Sequence, residues 1–293
     1  MTPNTSSVNP SSGAQTSDED PPRLIPSGQI DTSKPSVARV YDAFLGGKDN
    51  YEVDRAVLKQ VLKVAPETPR MTRENRAWLI RVTRFLAATA EIDQFLDVGA
   101  GLPAAENTHE AAQRVNPDAR VVYVDRDPIV LAHGRALLEE NPLTHLVGGD
   151  LTDPDALFNH PVVTKYLDME RPVALIQCGT LHHVPDHQRP ADIMRRYIEL
   201  LPSGSYVALT HFHDPEDDGE GTRLARFLED VFARGDMGSG YFRTRSQIEE
   251  MFDGLEVIPP GVVHLRAWWP DGPHMRPPSA PDLAILGGVG RKA

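Results

Sequence analysis

Phe95-Leu-Asp-Val-Gly-Ala-Gly101 is the segment from which the architecture of this chain can be worked out. A short apolar run that ends in an acidic residue and two glycines predicts a buried strand running into a tight turn. Pro103 suits the first turn of a following helix, whose first N–H groups would be free to bind a ligand. Gly99, Gly101 and Ala104 also satisfy G-x-G-x-x-(G/A), the dinucleotide fingerprint. The segment therefore predicts a nucleotide-cofactor turn, without separating NAD from S-adenosylmethionine (AdoMet).

Beyond the glycines, apolar runs alternate with helical patterns, which is the sequence form of a parallel sheet covered on both faces. The predicted strands span residues 94–98, 120–124, 145–147, 173–177, 206–211, 256–263 and 283–286. The predicted helices span residues 103–115, 128–140, 154–167, 187–200, 220–234 and 245–252. A Pro-rich loop rather than a helix joins the last two strands, so we expect them to form an antiparallel hairpin. The fold class is therefore α/β, with a Rossmann-like, seven-stranded, mostly parallel sheet, and the final hairpin favours a methyltransferase-type sheet over a dinucleotide-binding one.

The chain divides into three regions by composition and pattern. Residues 1–34 are rich in Ser, Thr, Pro and Asp and poor in branched apolar side chains, so we expect a disordered tail. Residues 35–90 carry three helical patterns, the first of which ends at Gly46-Gly47. Residues 35–65, which carry the first two of these patterns, are too few to fold alone, and we expect residues 35–90 to form a helical lid packed on the core. Residues 91–293 are expected to form the AdoMet-binding methyltransferase core.

Two local features of the lid are open to interpretation. Asp49 and Glu52 form a capping-box-like pair, so the second helix is predicted to begin after Asp49. Lys48, Asp49 and Asn50 are helix caps in this interpretation, and polar contacts to a ligand are the alternative. Between residues 55 and 84, eight Lys or Arg meet two acids. We interpret this basic run as a solvated helix face, with Asn75 on the inward stripe.

Composition excludes several classes of protein and site. Thirty basic and forty-two acidic residues give a net charge of −12, which would repel a phosphate backbone, so nucleic acid is not an expected partner. No apolar run has the length of a membrane span, and the N-terminal residues lack the order of a signal peptide. We therefore expect no membrane partner and a cytoplasmic location. Cys178, the only cysteine, excludes internal disulfides and a cysteine-rich zinc site.

Candidate cofactor-binding residues follow the predicted strands. In an open parallel sheet the ligand lies across the carboxyl ends of the strands, where the strand order reverses. Asp125 is placed to accept hydrogen bonds from two ribose hydroxyls, and Asp150 or its neighbouring backbone would meet the adenine amino group. Capping of the next helix is the alternative for both carboxylates, and a simple tight turn is the alternative for the glycines. The predicted cofactor-binding residues are Asp97, Gly99, Ala100, Gly101, Asp125, Arg126, Asp150, Leu151 and Cys178.

Histidines provide the second chemical signal. Two of them, His182 and His183, follow the fourth strand, and His211 and His213 follow the fifth. We predict that His182 lines the substrate pocket as a general base or a hydrogen-bonding wall, with capping or packing as the alternative. His182 and His183 are adjacent rather than four residues apart on a helix, and H-E-x-x-H is absent, so no metal is expected.

At this point the pattern resembles a known family, the actinobacterial S-adenosyl methyltransferases once catalogued as a domain of unknown function. The resemblance extends from about Asp31 to the end of the sequence. It is carried by Ala38-Arg-Val-Tyr-Asp-Ala-Phe-Leu-Gly-Gly-Lys-Asp-Asn50, Asn75-Arg-Ala-Trp-Leu79, Phe95-Leu-Asp-Val-Gly-Ala-Gly-Leu-Pro103, Val121-Val-Tyr-Val-Asp-Arg-Asp-Pro128, Leu181-His-His-Val-Pro-Asp186 and Gly287-Gly-Val-Gly-Arg-Lys292. It implies a class I AdoMet fold with cofactor contacts at Asp97, Gly99, Gly101, Asp125 and Asp150. Family members often carry Thr in place of Ala104, so that hydroxyl contact is absent here.

The resulting functional hypothesis is an AdoMet-dependent methyltransferase acting on a small-molecule methyl acceptor. The methyl donor is already activated, so the protein must mainly align the nucleophile with the methyl group, with a base such as His182 where the nucleophile carries a proton. One alternative is an AdoMet-binding regulatory protein without transfer activity. An NAD-dependent dehydrogenase is a further alternative, disfavoured by Gly149-Asp150 and the final hairpin. No oligomeric state follows from the sequence.

Overall fold

The computed structural model describes residue 1 and residues 31–137, 141–273 and 276–293. Residues 2–30, which make up most of the predicted tail, lie outside the described residues, as do residues 138–140 at the end of one predicted helix. Within the described ranges, no helix is both long enough and apolar enough to cross a membrane.

The described elements alternate as the sequence pattern predicts. The helices are α1 (Val37–Leu45), α2 (Glu52–Leu62), α3 (Thr68–Ala88), α4 (Thr108–Val115), α5 (Pro128–Leu137), α6 (Pro154–Phe158), α7 (Pro161–Tyr166), α8 (Pro190–Leu200), α9 (Glu220–Phe232), α10 (Arg245–Glu249) and α11 (Ala280–Leu283). The strands are β1 (Gln94–Val98), β2 (Arg120–Asp125), β3 (Thr144–Gly148), β4 (Ala174–Cys178), β5 (Tyr206–Phe212), β6 (Glu256–Val257), β7 (Val263–His264) and β8 (Ile285–Arg291). Short 3₁₀ turns cover Leu181–His183, Asp186–Gln188, Glu250–Phe252 and Leu265–Ala267.

A single sheet forms the centre of the described chain. Its order is β3-β2-β1-β4-β5-β8-β6, and β7 also pairs with β8. Strands β1 to β5 are parallel, whereas β8 runs antiparallel to β5, β6 and β7. The class I methyltransferase sheet is thus confirmed, including its antiparallel end. The strand order reverses between β1 and β4, so their carboxyl ends open the crevice in which such sheets bind ligands.

The last two predicted strands have different bounds in the structure. The predicted strand over residues 256–263 is interrupted, because Pro259 and Pro260 have no N–H to donate to a ladder, and only β6 and β7 remain on either side. The predicted strand over residues 283–286 begins two residues later and continues to Arg291. Its glycines are required by packing: a Cβ at Gly287 would lie 2.6 Å from Leu265 Cδ2.

The helix after the glycine turn begins later than predicted. Residues 103–107 form a loop, and α4 begins at Thr108 rather than at Pro103. Asn107 is the N-cap, and the Glu110 carboxylate accepts a hydrogen bond from the Asn107 N–H at 2.7 Å. This reciprocal capping box fixes the start of the helix and overrides the preference of proline for a first turn.

The three N-terminal helices have two kinds of environment. Helix α3 contacts α4, β4 and β5, and Trp78, Val82 and Leu86 on it are fully buried, so it covers one face of the sheet. Helices α1 and α2 pack on each other, and α1 also packs on α3. The Arg39 guanidinium and the Asp54 carboxylate link them through a buried ion pair at 2.8 Å. The lid over residues 35–90 stays a prediction, and α3 within that range packs directly on the sheet.

A polar turn joins α1 to α2. Gly46 ends α1 in the left-handed conformation with φ of +81°. The Asp42 carboxylate accepts hydrogen bonds from the Asp49 N–H at 3.0 Å and the Asn50 side chain at 2.7 Å. The predicted cap at Asp49 is wrong, because Tyr51 is the N-cap of α2 and its partner is Asp54. The Asp42 carboxylate therefore holds this turn together, and Asp49 and Asn50 contribute to it as hydrogen-bond donors.

The basic run between residues 55 and 84 is only partly a solvated face. Arg70 pairs with the buried Asp282 at 3.1 Å, and Arg81 donates to the carbonyl of Leu265 at 2.8 Å. Arg84 pairs with Asp271 across the surface. The arginines of α3 therefore bind distant parts of the chain, which sequence spacing alone did not indicate.

Candidate functional site

A cavity of about 530 Å³ lies over the carboxyl ends of β1, β2 and β4. The sheet contributes the glycine turn after β1, residues 125–128 after β2 and residues 178–180 after β4. The opposite wall consists of residues 31–41 and part of α3. The cavity therefore lies at the topological reversal of the sheet and is bounded by the N-terminal segment.

The glycine turn approaches its neighbours too closely for side chains. Gly99 has φ of +81°, and a Cβ on it would lie 2.2 Å from Thr180 Cγ2. Gly101 has φ of +67° with open space around it, so its requirement is conformational. The Gly99 N–H donates to the Val124 carbonyl at 2.8 Å, which holds the turn against the end of β2.

Asp125, at the end of β2, supports the glycine turn and faces the cavity. Its carboxylate accepts hydrogen bonds from the Gly101 N–H and the Asp127 N–H, both at 2.9 Å. Burial raises the pKa of Asp125 above its usual value, and these hydrogen bonds oppose that shift. A carboxylate has about four lone-pair sites, so it can accept further hydrogen bonds from a ligand in the cavity.

Asp97 lies beneath the turn and is almost fully buried. The Thr108 hydroxyl donates to its carboxylate at 2.5 Å. Desolvation raises the pKa of Asp97 to about 6. The Thr108 contact joins β1 to α4, so Asp97 both faces the cavity and fixes the first helix after the turn.

Asp150 does not line the large cavity, unlike the other predicted cofactor-binding residues. Gly149 and Leu151 line the cavity, whereas the Asp150 side chain turns to Thr152 and to Arg126, with an Arg126 Nη1 to Asp150 Oδ2 distance of 3.4 Å. Partial desolvation raises the pKa of Asp150, but the hydrogen bonds from Thr152 and Arg126 prevail and lower it. The neighbouring backbone, rather than the Asp150 carboxylate, is therefore placed toward the cavity.

Cys178 and Asn75 form a buried junction between the sheet and α3. The Thr210 hydroxyl donates to the Asn75 side-chain oxygen (Oδ1) at 2.8 Å and accepts from the Gly179 N–H at 2.8 Å. The Asn75 amide donates to the Tyr41 hydroxyl at 3.1 Å. Burial raises the pKa of the Cys178 thiol to about 12, so this thiol stays protonated and is an apolar wall group rather than a nucleophile.

Arg76 lines the cavity and was not among the predicted site residues. Its guanidinium donates to the Glu106 carbonyl at 2.6 Å and to the Asn107 side-chain oxygen at 2.9 Å. Its Nε–H is buried without a hydrogen-bond partner in the described chain. In the sequence, nothing distinguishes Arg76 from the other basic residues of this run. The prediction that Asn75, beside it, lies on the inward face of α3 is confirmed.

The two adjacent histidines face different spaces. Both lie in the 3₁₀ turn after β4, and both line a smaller cavity beside the large one. His183 lines the large cavity, and its Nδ1 lies 3.0 Å from the Ser239 hydroxyl. His182 is almost fully buried and stacks on Phe212, and it lines only a smaller adjoining cavity. Desolvation lowers the pKa of His182 well below 6.5 and that of His183 to about 3.

The remaining histidines after β5 are engaged with protein groups. His211 Nε2 lies 2.8 Å from Arg243 Nη1, and His213 Nδ1 lies 2.9 Å from the Leu283 carbonyl. Over the described ranges, no group of three or more His, Cys, Asp and Glu side chains is arranged to hold a metal ion. Of the predicted cofactor residues, those that line the large cavity are Asp97, Gly99, Ala100, Gly101, Asp125, Arg126, Leu151 and Cys178.

Known proteins resemble this chain over most of its length. A family model described as S-adenosyl methyltransferase matches residues 24–293. A candidate methyltransferase from Thermobifida fusca YX is 43% identical, with a TM-score of 0.85 over 91% of this chain and 98% of its own. A DUF574 family protein from Streptomyces avermitilis MA-4680 is 39% identical, with a TM-score of 0.83 over 90% of this chain and 100% of its own. The search of curated proteins gave no match.

Proposed function

The chain belongs to the S-adenosyl methyltransferase family, and on that premise we propose that it binds AdoMet and transfers its methyl group to a small molecule. The observation that carries the proposal is the large cavity at the strand reversal, where a glycine turn, a half-buried carboxylate at the end of β2 and an arginine of α3 converge. When bound, AdoMet supplies a methyl group already activated by a sulfonium sulfur.

The lining residues fit the three chemical parts of that cofactor. Asp125 would accept hydrogen bonds from ribose hydroxyls, which is the use of an acidic residue at the end of a second strand in nucleotide-binding sheets. Arg76, with its unpaired Nε–H and permanent charge, would bind the carboxylate of the amino acid part. The Leu151 side chain and the Gly149 backbone would contact the base. Each group would hold a different part of the extended cofactor.

The chain's own contribution to the reaction is mainly alignment. Tyr41, Asn75 and His183 line both the large cavity and the smaller adjoining one, so they lie where the methyl donor would meet its acceptor. We propose His183 as the group that receives a proton from the acceptor, because its imidazole lies at the boundary that the two cavities share. The prediction that His182 acts as the base stays a prediction, tested alongside His183 below.

Isothermal titration calorimetry with S-adenosylhomocysteine tests the cofactor assignment. We expect micromolar-range binding to the wild type. Asp125→Ala should weaken it by about 5- to 150-fold, or about 1–3 kcal/mol, because a charged hydrogen-bond partner is lost. Asp150→Ala is the matched control, since its carboxylate turns away from the cavity, and its dissociation constant should stay within about threefold of wild type.

Three outcomes would contradict parts of the proposal. Equal losses in the two variants would remove the ribose role of Asp125. Tight NAD binding with no S-adenosylhomocysteine binding would favour a dehydrogenase. Binding of AdoMet without release of S-adenosylhomocysteine, across a broad set of acceptors, would favour a regulatory protein over an enzyme.

A further inference from the structure

A second, smaller cavity of about 50 Å³ adjoins the proposed cofactor cavity. It lies between α1, α3, the end of β5 and α9, and we refer to it as the inner chamber. The two spaces share Val37, Tyr41, Asn75, His183 and Met237, so these side chains form the boundary between them. One water needs about 10–15 Å³ and a cavity that binds benzene has about 150 Å³, so the chamber by itself has room for about three to five waters, and a ring would occupy it together with the adjoining part of the large cavity.

Flat rings form one wall of the inner chamber. The His182 imidazole lies parallel to the Phe212 ring, with centroids 3.5 Å apart and planes 11° apart. The Phe242 ring stacks on the opposite face of Phe212, with centroids 4.8 Å apart and planes 15° apart. Phe242 itself does not line the chamber. His182 covers one face of Phe212 and Phe242 covers the other, so a planar ligand would meet the edges of these rings rather than stack on Phe212.

The inner chamber has no charged side chain among its lining residues. Its polar groups are neutral near pH 7: burial raises the pKa of Tyr41 to about 12, and desolvation lowers that of His183 to about 3. A carboxylate or an ammonium group placed here would lose its water without gaining an opposite charge, which is costly. Charged acceptors are therefore disfavoured in this space.

From this geometry, and resting on the proposed function, we propose that the inner chamber is the acceptor site and that it takes an uncharged aromatic ring bearing a hydroxyl group. The edges of the Phe212 and His182 rings meet this ring, and the hydroxyl points toward the shared boundary at His183 and Tyr41. A phenolic hydroxyl fits better than an aliphatic one, because its pKa near 10 makes it the easier of the two to deprotonate at a neutral imidazole.

The transfer is balanced in atoms and charge. The hydroxyl oxygen forms a bond to the methyl carbon while the bond from that carbon to the sulfonium sulfur breaks, and its electron pair stays on sulfur. S-adenosylhomocysteine leaves as a neutral thioether. The hydroxyl proton passes to His183 and from there to solvent, so the product is an uncharged aryl methyl ether.

Three single-ring probes test the chamber in the full chain saturated with S-adenosylhomocysteine. We would measure their dissociation constants by ligand-observed NMR. Phenol should bind about three- to tenfold more tightly than cyclohexanol, which has the same hydroxyl but no flat ring. 4-Hydroxybenzoate should bind at least about tenfold more weakly than phenol, because its carboxylate has no partner in the chamber. With AdoMet in place of S-adenosylhomocysteine, phenol should yield anisole.

Two phenylalanine variants locate the effect. Phe212→Leu should remove the preference for phenol over cyclohexanol, whereas Phe242→Leu, which loses a ring outside the chamber, should keep it. Wild-type S-adenosylhomocysteine affinity in both variants confirms that they are folded. If the wild type binds cyclohexanol or 4-hydroxybenzoate as well as phenol, the aromatic proposal is overturned while the methyltransferase proposal stands. If the wild type does not bind S-adenosylhomocysteine, the proposed function itself is overturned.

Discussion

The adjacent residues His182 and His183 illustrate how local conformation assigns chemical roles. A 3₁₀ turn after β4 brings both rings to the same side of the strand ends, with their centroids 4.5 Å apart. His183 keeps access to the proposed cofactor cavity, whereas His182 is covered by Phe212. Sequence spacing identifies the pair, but the turn that decides which ring meets the ligand depends on contacts with residues far away in the chain.

We expect His183→Gln to lower kcat for a methyl acceptor by a factor of about 10², the usual size of a general-base contribution. S-adenosylhomocysteine affinity should stay within about threefold, because the cofactor contacts lie elsewhere. His182→Phe keeps a flat ring against Phe212 and should retain most of the turnover. His187→Gln, on an exposed turn, is the control. Normal turnover in His183→Gln together with a large loss in His182→Phe would instead make His182 the base.

At single positions, most of the candidate site was predictable and its exceptions have physical causes. Residues directly after parallel strands reach the same edge of the sheet, so Asp97, Gly99, Gly101 and Asp125 followed from the pattern alone. Asp150 departs from it because Thr152, two residues later, captures its carboxylate. Arg76 was missed because a cation in a basic helix carries no sequence mark of the partners it will find.

Among the elements, α1 depends on one buried ion pair for its position over the cavity. The Arg39 and Asp54 side chains are 3% and 0% exposed. Asp54 also accepts from the Ser36 N–H at 3.1 Å and the Tyr51 N–H at 2.8 Å, so one carboxylate ties the starts of α1 and α2 together. Removing the guanidinium would leave an unpaired charge inside the protein, which is strongly unfavourable.

Arg39→Met should therefore reduce the free energy of unfolding by about 3–5 kcal/mol and weaken S-adenosylhomocysteine binding, because α1 forms part of the cavity wall. Urea denaturation and calorimetry would measure the two effects. Arg55→Met is the matched control, since Arg55 pairs with Glu52 at the surface, where an ion pair contributes about 0–1 kcal/mol. Unchanged ligand affinity in a clearly destabilised Arg39→Met protein would argue against a covering role for α1.

The type and order of the elements followed from hydrophobic periodicity, whereas their ends did not. Capping decided the ends: Asn107 with Glu110 delays α4, and Tyr51 with Asp54 starts α2. Both capping boxes compete with nearby residues of similar propensity, and the winner is set by tertiary contacts such as Arg39 with Asp54. Strand β8 was underestimated because glycine is unfavourable in strands unless a neighbour needs its space.

At the scale of the whole molecule, buried histidines make stability depend on pH. Desolvation lowers the pKa of His183 and of His211 to about 3, and that of His182 also falls well below 6.5. Each takes up a proton on unfolding between those values, so the free energy of unfolding falls as the pH drops from 6.5 toward 3. Asp97, whose pKa burial raises to about 6, acts in the opposite direction between about pH 4 and 6.

His211→Gln should reduce this acid sensitivity. A fully buried histidine contributes up to about 1.4 kcal/mol per pH unit below its unfolded pKa, so between pH 7 and 5 the variant should lose about 2 kcal/mol less than the wild type. It will be less stable at pH 7, since Arg243 loses a partner, and only the change with pH is diagnostic. Urea denaturation at both pH values gives that change. Equal losses in the two proteins would mean that His211 is not a buried, neutral group.

Gly287 in β8 lies well outside the cavity, yet it determines where one wall of the cavity stands. A Cβ at this position would lie 2.6 Å from Leu265 Cδ2, 3.0 Å from Thr210 Cγ2 and 3.1 Å from Trp78 Cε2, so the indole of α3 is one of three side chains that pack into the space left by the missing side chain. Asn75 comes one helical turn before Trp78 on the same inward face, and Arg76 follows it. The depth to which Trp78 sinks thus sets the height of the amide and the guanidinium above the strand ends. The absence of a side chain at Gly287 thereby sets how far the Asn75 amide and the Arg76 guanidinium extend toward a ligand.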